Sequence, residues 1–190
     1  MNFSKASFIV RGMLPLCIVL SAAVASGAPP VVGEKAPDFA LMSTKGANFR
    51  LSERSKGTVV LVVLRGYPGY QCPNCNRQVQ DFIQNAPAFA EAGASVIFVY
   101  PGPPDRLAAK AGEFLSEKKL PDHFEMLLDP AYVFTKAYGL RWDAAKETAY
   151  PSTFLMDRQG VVFFSKVVKS HGGRTTAAEI LNALPKTPGN

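Results

Sequence analysis

Cys72 and Cys75 stand three residues apart in Cys72-Pro73-Asn74-Cys75, and two thiols at that spacing suit one kind of chemistry: closing into a disulfide and being reopened. Residues three apart in the first turn of a helix share a face, at a separation compatible with an S–S bond. Pro73 fits the first helical position, where its missing N–H would be unpaired anyway. Cys72 is then the N-cap and Cys75 lies one turn in. The two sulfurs are unequal. Free backbone N–H groups and the positive end of the helix dipole favour a thiolate at Cys72. Cys75 is expected to be more buried and to react only within the pair. Cys72 would attack a target, and Cys75 would resolve the resulting bond.

Other uses of the pair weigh less. A structural zinc site needs four ligands, and the two histidines, His123 and His171, are far apart in sequence. His123 reads as a surface residue and His171 as a loop residue before Gly172-Gly173. A purely structural disulfide closing so short a loop stabilises little. Copper delivery is a remote alternative, resting on thiolate affinity for Cu(I). No cofactor and no metal is therefore assigned. Arg65, one loop before Cys72, either stabilises a thiolate or exits toward solvent.

The elements around the pair must present it. Thr58 to Leu64 (TVVLVVL) is a continuous β-branched run, the pattern of a strand buried on both faces. It ends in Arg65-Gly66-Tyr67-Pro68-Gly69, the loop that delivers Cys72. Residues 73–91 carry Val79, Phe82, Ile83 and Phe89 at near-helical spacing. Strand–loop–helix order puts the cysteines at the carboxyl edge of a sheet, where α/β folds place their sites. Further strands are predicted over 38–41, 48–51, 95–100, 152–156 and 161–164, and helices over about 105–118, 131–138 and 175–184. That order implies an α/β fold with a mixed central sheet and helices on both faces.

The chain has 190 residues, 47% apolar and 19% charged, which suits a single globular domain with a sizeable core. Its formal charge of +6 is spread among acids; no basic stripe with interleaved aromatics points to nucleic acid. Lys5 and Arg11 precede an apolar run, Met13 to Leu20, and the small residues Ala23-Val24-Ala25. That is the pattern of a signal peptide over residues 1–25, leaving 26–190 as one domain that is periplasmic or secreted. An uncleaved N-terminal membrane anchor is the alternative. Cys17 lies in the apolar run, so the mature chain would keep only the Cys72–Cys75 pair.

Three motifs carry a family resemblance. Val32-Gly33-Glu34-Lys35-Ala36-Pro37-Asp38-Phe39 is similar to a G-x-x-A-P-x-F opening, and Pro68 to Cys75 to P-x-x-x-T-x-x-C with cysteine for threonine. Ser152-Thr153-Phe154-Leu155-Met156-Asp157 is similar to an S-T-F-hydrophobic-I-D strand. The chain thus resembles, over about residues 31–185, the redoxin branch of the thioredoxin superfamily. Within it, the likeness is to the alkyl hydroperoxide reductase and thiol-specific antioxidant proteins, the peroxiredoxins.

The resemblance implies a thioredoxin-like fold and a thiol-based oxidoreductase, but it divides on the nucleophile. Peroxiredoxins would make Cys75 peroxidatic, whereas thioredoxin-like reductases would make Cys72 the attacker. Where peroxiredoxins carry an arginine before the S-T-F strand, this chain has Pro151, the place of a thioredoxin-type cis-proline. The resemblance therefore implies a cis Tyr150–Pro151 bond facing the sulfurs, with Tyr150 and Pro151 binding an extended substrate segment. It also implies disulfide exchange with protein thiols or a reducing partner protein, ahead of hydroperoxide reduction, because one arginine is missing from the peroxidase set.

Overall fold

The computed structural model describes residues 27–54 and 57–185, together with Met1. The signal segment expected over 1–25 lies, Met1 apart, outside the described residues. No helix among the described residues is long and apolar enough to cross a membrane.

Seven strands form one mixed sheet: β1 (Ala40–Ser43), β2 (Asn48–Arg50), β3 (Thr58–Val63), β4 (Ala94–Gly102), β5 (Phe124–Pro130), β6 (Ser152–Met156) and β7 (Val162–Val167), in the spatial order β2-β1-β5-β4-β3-β6-β7. The inner strands β3, β4 and β5 run parallel, and antiparallel pairs close both sides. The helices are α1 (Pro73–Gln84), α2 (Ala86–Glu91), α3 (Leu107–Leu115), α4 (Val133–Ala137) and α5 (Ala177–Ala183).

Strand β3 shows why the β-branched run sits at the centre. Val60 and Val62, with Leu64 just beyond the strand, pack with Val79 and Phe82 of α1, Phe114 of α3 and Ile180 of α5. The alternate residues Val59, Leu61 and Val63 pack on the other face with Phe49, Phe134 of α4 and Tyr138. Period-two alternation thus feeds two cores from one strand. Each such side chain contributes roughly 1.5–3 kcal/mol by leaving water.

Two local expectations change. The helix read over 73–91 is two helices, because α1 ends at Asn85 and Pro87 opens α2. Strand β5 is not anticipated by the sequence pattern. Its residues Phe-Glu-Met-Leu-Leu hold no β-branched side chain, yet it pairs along seven positions of β4. Burial between β1 and β4 overrides that weak propensity.

Candidate active site

The buried stripe of α1 is Cys75, Gln78, Val79 and Phe82, the spacing of one helical face. Packing that stripe on the sheet fixes Cys75 at its first position and leaves Cys72 as the N-cap, one turn nearer solvent. Cys72 has extended backbone angles (φ −76°, ψ 113°), and its Sγ accepts the Cys75 N–H at 3.4 Å. Both cysteines are free thiols; Cys72 is 3% exposed and Cys75 is fully buried.

Their acidities diverge as the N-cap argument expects. A hydrogen bond from the Cys75 thiol, the Cys75 backbone N–H, and the charges of Arg174 and Arg65 outweigh burial and bring Cys72 down to about 5. Burial, reinforced by that same bond to Cys72, pushes Cys75 well above its ordinary value. Both shifts favour a Cys72 thiolate hydrogen-bonded by a neutral Cys75 thiol. Gly66 helps hold the loop against β4. Its φ is +67°, and a Cβ there would lie 2.1 Å from the Pro101 carbonyl oxygen. Burial and the nearby sulfurs keep Tyr100 protonated well above its usual range, and its O–H donates to Gln71 Oε1 at 2.8 Å.

Arg65 is buried, with 4% of its surface exposed. Its Nε donates to Glu147 Oε2 at 2.6 Å, its Nη2 to Glu147 Oε1 at 3.0 Å and to the Lys146 carbonyl at 2.7 Å, and its Nη1 to the Tyr70 hydroxyl. It does not exit to solvent, and its charge is felt at Cys72. Most of its donors are nevertheless spent on Glu147 and the loop behind it.

A residue that the sequence reasoning missed stands closer. Arg174, in the loop between β7 and α5, points Nη1 at Cys75 Sγ (3.5 Å) and Nη2 at Cys72 Sγ (3.8 Å), with Nη1 also 3.4 Å from Gln78 Oε1. It follows Gly172-Gly173 directly and precedes Thr175-Thr176, which lead into α5. That Gly-Gly-Arg stretch was the only local signal. A separation of 99 residues from Cys75 gave no spacing to read. The expected shortage of one arginine beside the pair is thereby overturned.

The cis-proline expectation is also corrected: no peptide bond among the described residues is cis, so Tyr150–Pro151 is trans. Its backbone is committed within the fold. Tyr150 N–H donates to Leu140 O, the Ser152 hydroxyl donates to Tyr150 O, and Val168 N–H donates to Pro151 O. The Tyr150 ring stacks on Trp142 with centroids 4.9 Å apart.

The histidines separate. His123 Nε2 lies 3.1 Å from Ala86 O at the far end of α1. His171, read as an ordinary loop residue, bonds Glu147 Oε1 at 2.9 Å. Among the described residues no three His, Cys, Asp or Glu side chains are grouped to hold a metal ion.

Comparison with known proteins agrees with this architecture. Residues 32–165 match the family described as AhpC/TSA. Peroxiredoxin Bcp of Bacillus subtilis (strain 168) is 32% identical over 135 residues, covering 68% of this chain and 80% of that protein. The crystal structure of peroxidoxin BcpB from Mycobacterium tuberculosis superposes with a TM-score of 0.66 at 24% identity, covering 82% of this chain and 96% of that one. A putative thiol:disulfide interchange protein DsbE from Chlorobium tepidum gives a TM-score of 0.61 at 26% identity, covering 82% and 99%. The neighbours thus carry both chemistries between which the sequence divides.

Proposed function

This chain is a thiol-based oxidoreductase of the AhpC/TSA family, and we propose that it is an exported thiol peroxidase in which Cys72 attacks and Cys75 resolves. The observation that carries the reading is the guanidinium of Arg174 lying against both sulfurs beside a Cys72 held as thiolate. Cleaving an O–O bond puts negative charge on the leaving oxygen, and a fixed cationic donor stabilises that charge as it develops.

The steps balance. The Cys72 thiolate attacks one peroxide oxygen and the O–O bond breaks. The leaving alkoxide or hydroxide takes a proton from water, and Cys72 becomes a sulfenic acid. The Cys75 thiol then displaces hydroxide from the Cys72 sulfur, forming the disulfide and releasing water. A dithiol on a reducing partner protein returns both cysteines to thiols and leaves as its own disulfide. The depressed Cys72 and the raised Cys75 suit these unequal roles.

Thiol–disulfide exchange is the second reading. It is favoured by the reactive sulfur being Cys72, the first cysteine of the motif, and by the likeness to the DsbE protein. Export is supported by Lys5, Arg11, the apolar run from Met13 and Ala23-Val24-Ala25.

The test sets hydrogen-peroxide consumption against reduction of a model protein disulfide, with the reduced wild type and Cys72→Ser. Peroxide turnover that vanishes in Cys72→Ser is the expected result. Slow peroxide turnover beside rapid disulfide exchange would install the second reading instead.

A further inference from the structure

The loop 168–176 that carries Arg174 is anchored at two ends. On the α5 side, Thr175 is buried, its hydroxyl 2.7 Å from that of Thr153, and its carbonyl accepts Gln78 Nε2–H at 3.1 Å. On the β7 side, the anchor is His171. Its ring packs at a tilt on Trp142 with centroids 5.1 Å apart, its Nε2 lies 2.9 Å from Glu147 Oε1, and its carbonyl accepts the Asn74 side-chain N–H at 2.9 Å. Asn74 lies between the two cysteines. Glycines 172 and 173 join the anchors and are exposed, and a Cβ on Gly172 would touch nothing within 4 Å. The side-chain bond given to this stretch is one from the Ser170 hydroxyl to the Gly172 carbonyl at 3.2 Å, inside the loop itself.

Arg174 itself is weakly held. Its polar contacts are the two sulfurs, Gln78 Oε1 and the His171 carbonyl, at 3.4 to 3.8 Å, none of them a carboxylate. Glu147, by contrast, is a prepared receptor. Its side chain is 9% exposed and clamped by Arg65. Burial pulls its acidity one way, but hydrogen bonds from Arg65 and His171 win and keep it ionised below its usual range. A carboxylate only accepts, so the imidazole Nε2 carries the proton that it shares.

We infer that His171, docked on the Glu147 carboxylate and tied to Asn74, is the positioning residue that holds Arg174 on the Cys72 and Cys75 sulfurs. The inference rests on reading Cys72 as the reactive thiolate. His171 touches no reacting atom; it acts by fixing the loop. Freed of His171, the Gly172-Gly173 stretch lets the guanidinium swing into solvent, and Cys72 loses one of the charges that stabilise it. This couples the motif to a loop almost a hundred residues away through one histidine and one asparagine.

The experiment measures two quantities on reduced full-length protein: the thiolate absorbance of Cys72 titrated against pH, and the second-order rate with hydrogen peroxide. The variants are His171→Ala, His171→Gln, Arg174→Met, and each His171 change combined with Arg174→Met. His171→Ala should move the Cys72 titration upward and slow the peroxide reaction about tenfold, within the range of coupled neighbours. His171→Gln keeps an N–H for Glu147 and should recover most of both. In the Arg174→Met background His171→Ala should change neither quantity by more than about twofold. An equal loss in both backgrounds overturns the inference, as does an unchanged titration in His171→Ala. The titration needs no substrate, so a wild type that ignores peroxide would sink the peroxidase reading and leave this test standing.

Discussion

Two arginines act on the redox pair, one through its charge alone and one in contact with both sulfurs, and they are held very differently. Arg65, at the end of β3, is buried with its side chain 5% exposed and gives three N–H bonds to the loop at 146–147 at 2.6 to 3.0 Å. Arg174, from the loop before α5, is half-buried and makes its contacts at 3.4 to 3.8 Å. A guanidinium whose donors are saturated by a carboxylate has little left to offer a substrate. One resting on sulfur can turn its donors to oxygen as charge appears there. On the proposed peroxidase reading, the difference gives Arg65 a structural role and Arg174 a chemical one, and substitutions can separate the two.

The largest effect belongs to Arg65→Ala. It strands the Glu147 carboxylate, 9% exposed, without its cation, and breaking a buried pair in this way costs about 3–5 kcal/mol. Denaturant unfolding of the reduced protein measures it. A loss near zero would mean that Glu147 is solvated and that the two arginines are not distinguished by their anchoring. Arg174→Met reverses the pattern: stability should change by less than about 1 kcal/mol, as for a half-exposed side chain, while the peroxide rate falls about 10²–10³-fold. If Arg65→Ala slows peroxide more than Arg174→Met in protein that remains folded, the assignment must be exchanged.

How much of this contrast the sequence carried depends on how local each signal is. The β-branched run at 58–64 announced the central strand, and Pro73 after Cys72 announced the N-cap, because both are set by neighbours in the chain. The unequal sulfurs followed from that cap alone. Arg174 did not, since its place depends on tertiary contacts of the loop after β7 with Asn74 and Gln78 of α1, and a Gly-Gly-Arg stretch looks like any loop. The resemblance misdirected at Pro151. Tyr150 there is drawn onto Trp142 and Leu140, and the bond is trans. Strand β5 was invisible for a related reason: its pairing with β4 is tertiary, and its side chains favour helix as readily.

A smaller effect sharpens the ranking of the two charges. Cys72, at about 5, is held down first by the Cys75 hydrogen bonds, then by Arg174, then by Arg65. A depressed thiol is protonated below its folded value, so iodoacetamide labelling of Cys72 should rise as pH passes through about 5 and level off by neutrality. Cys75→Ala should raise the midpoint most, Arg174→Met less, and Arg65→Ala least among folded variants. Labelling of Cys75 ahead of Cys72 in the wild type would reverse the nucleophile and favour the peroxidatic assignment that the family motif gives to Cys75.

The smallest effect is Pro151→Ala. With a trans bond and its carbonyl already accepting Val168 N–H, Pro151 contributes to the fold by restricting the unfolded chain. Replacing a proline whose native angles suit it costs about 0.4–1 kcal/mol by that route. The peroxide rate should stay within about twofold of wild type, since Pro151 has no N–H to offer a peroxide oxygen. The same variant assayed on a protein disulfide makes the measurement decisive. If exchange with that disulfide falls tenfold or more while peroxide turnover holds, Pro151 meets an extended substrate after all. The second reading would then gain a docking strand, and the contrast between a structural Arg65 and a reactive Arg174 would apply only to small oxidants.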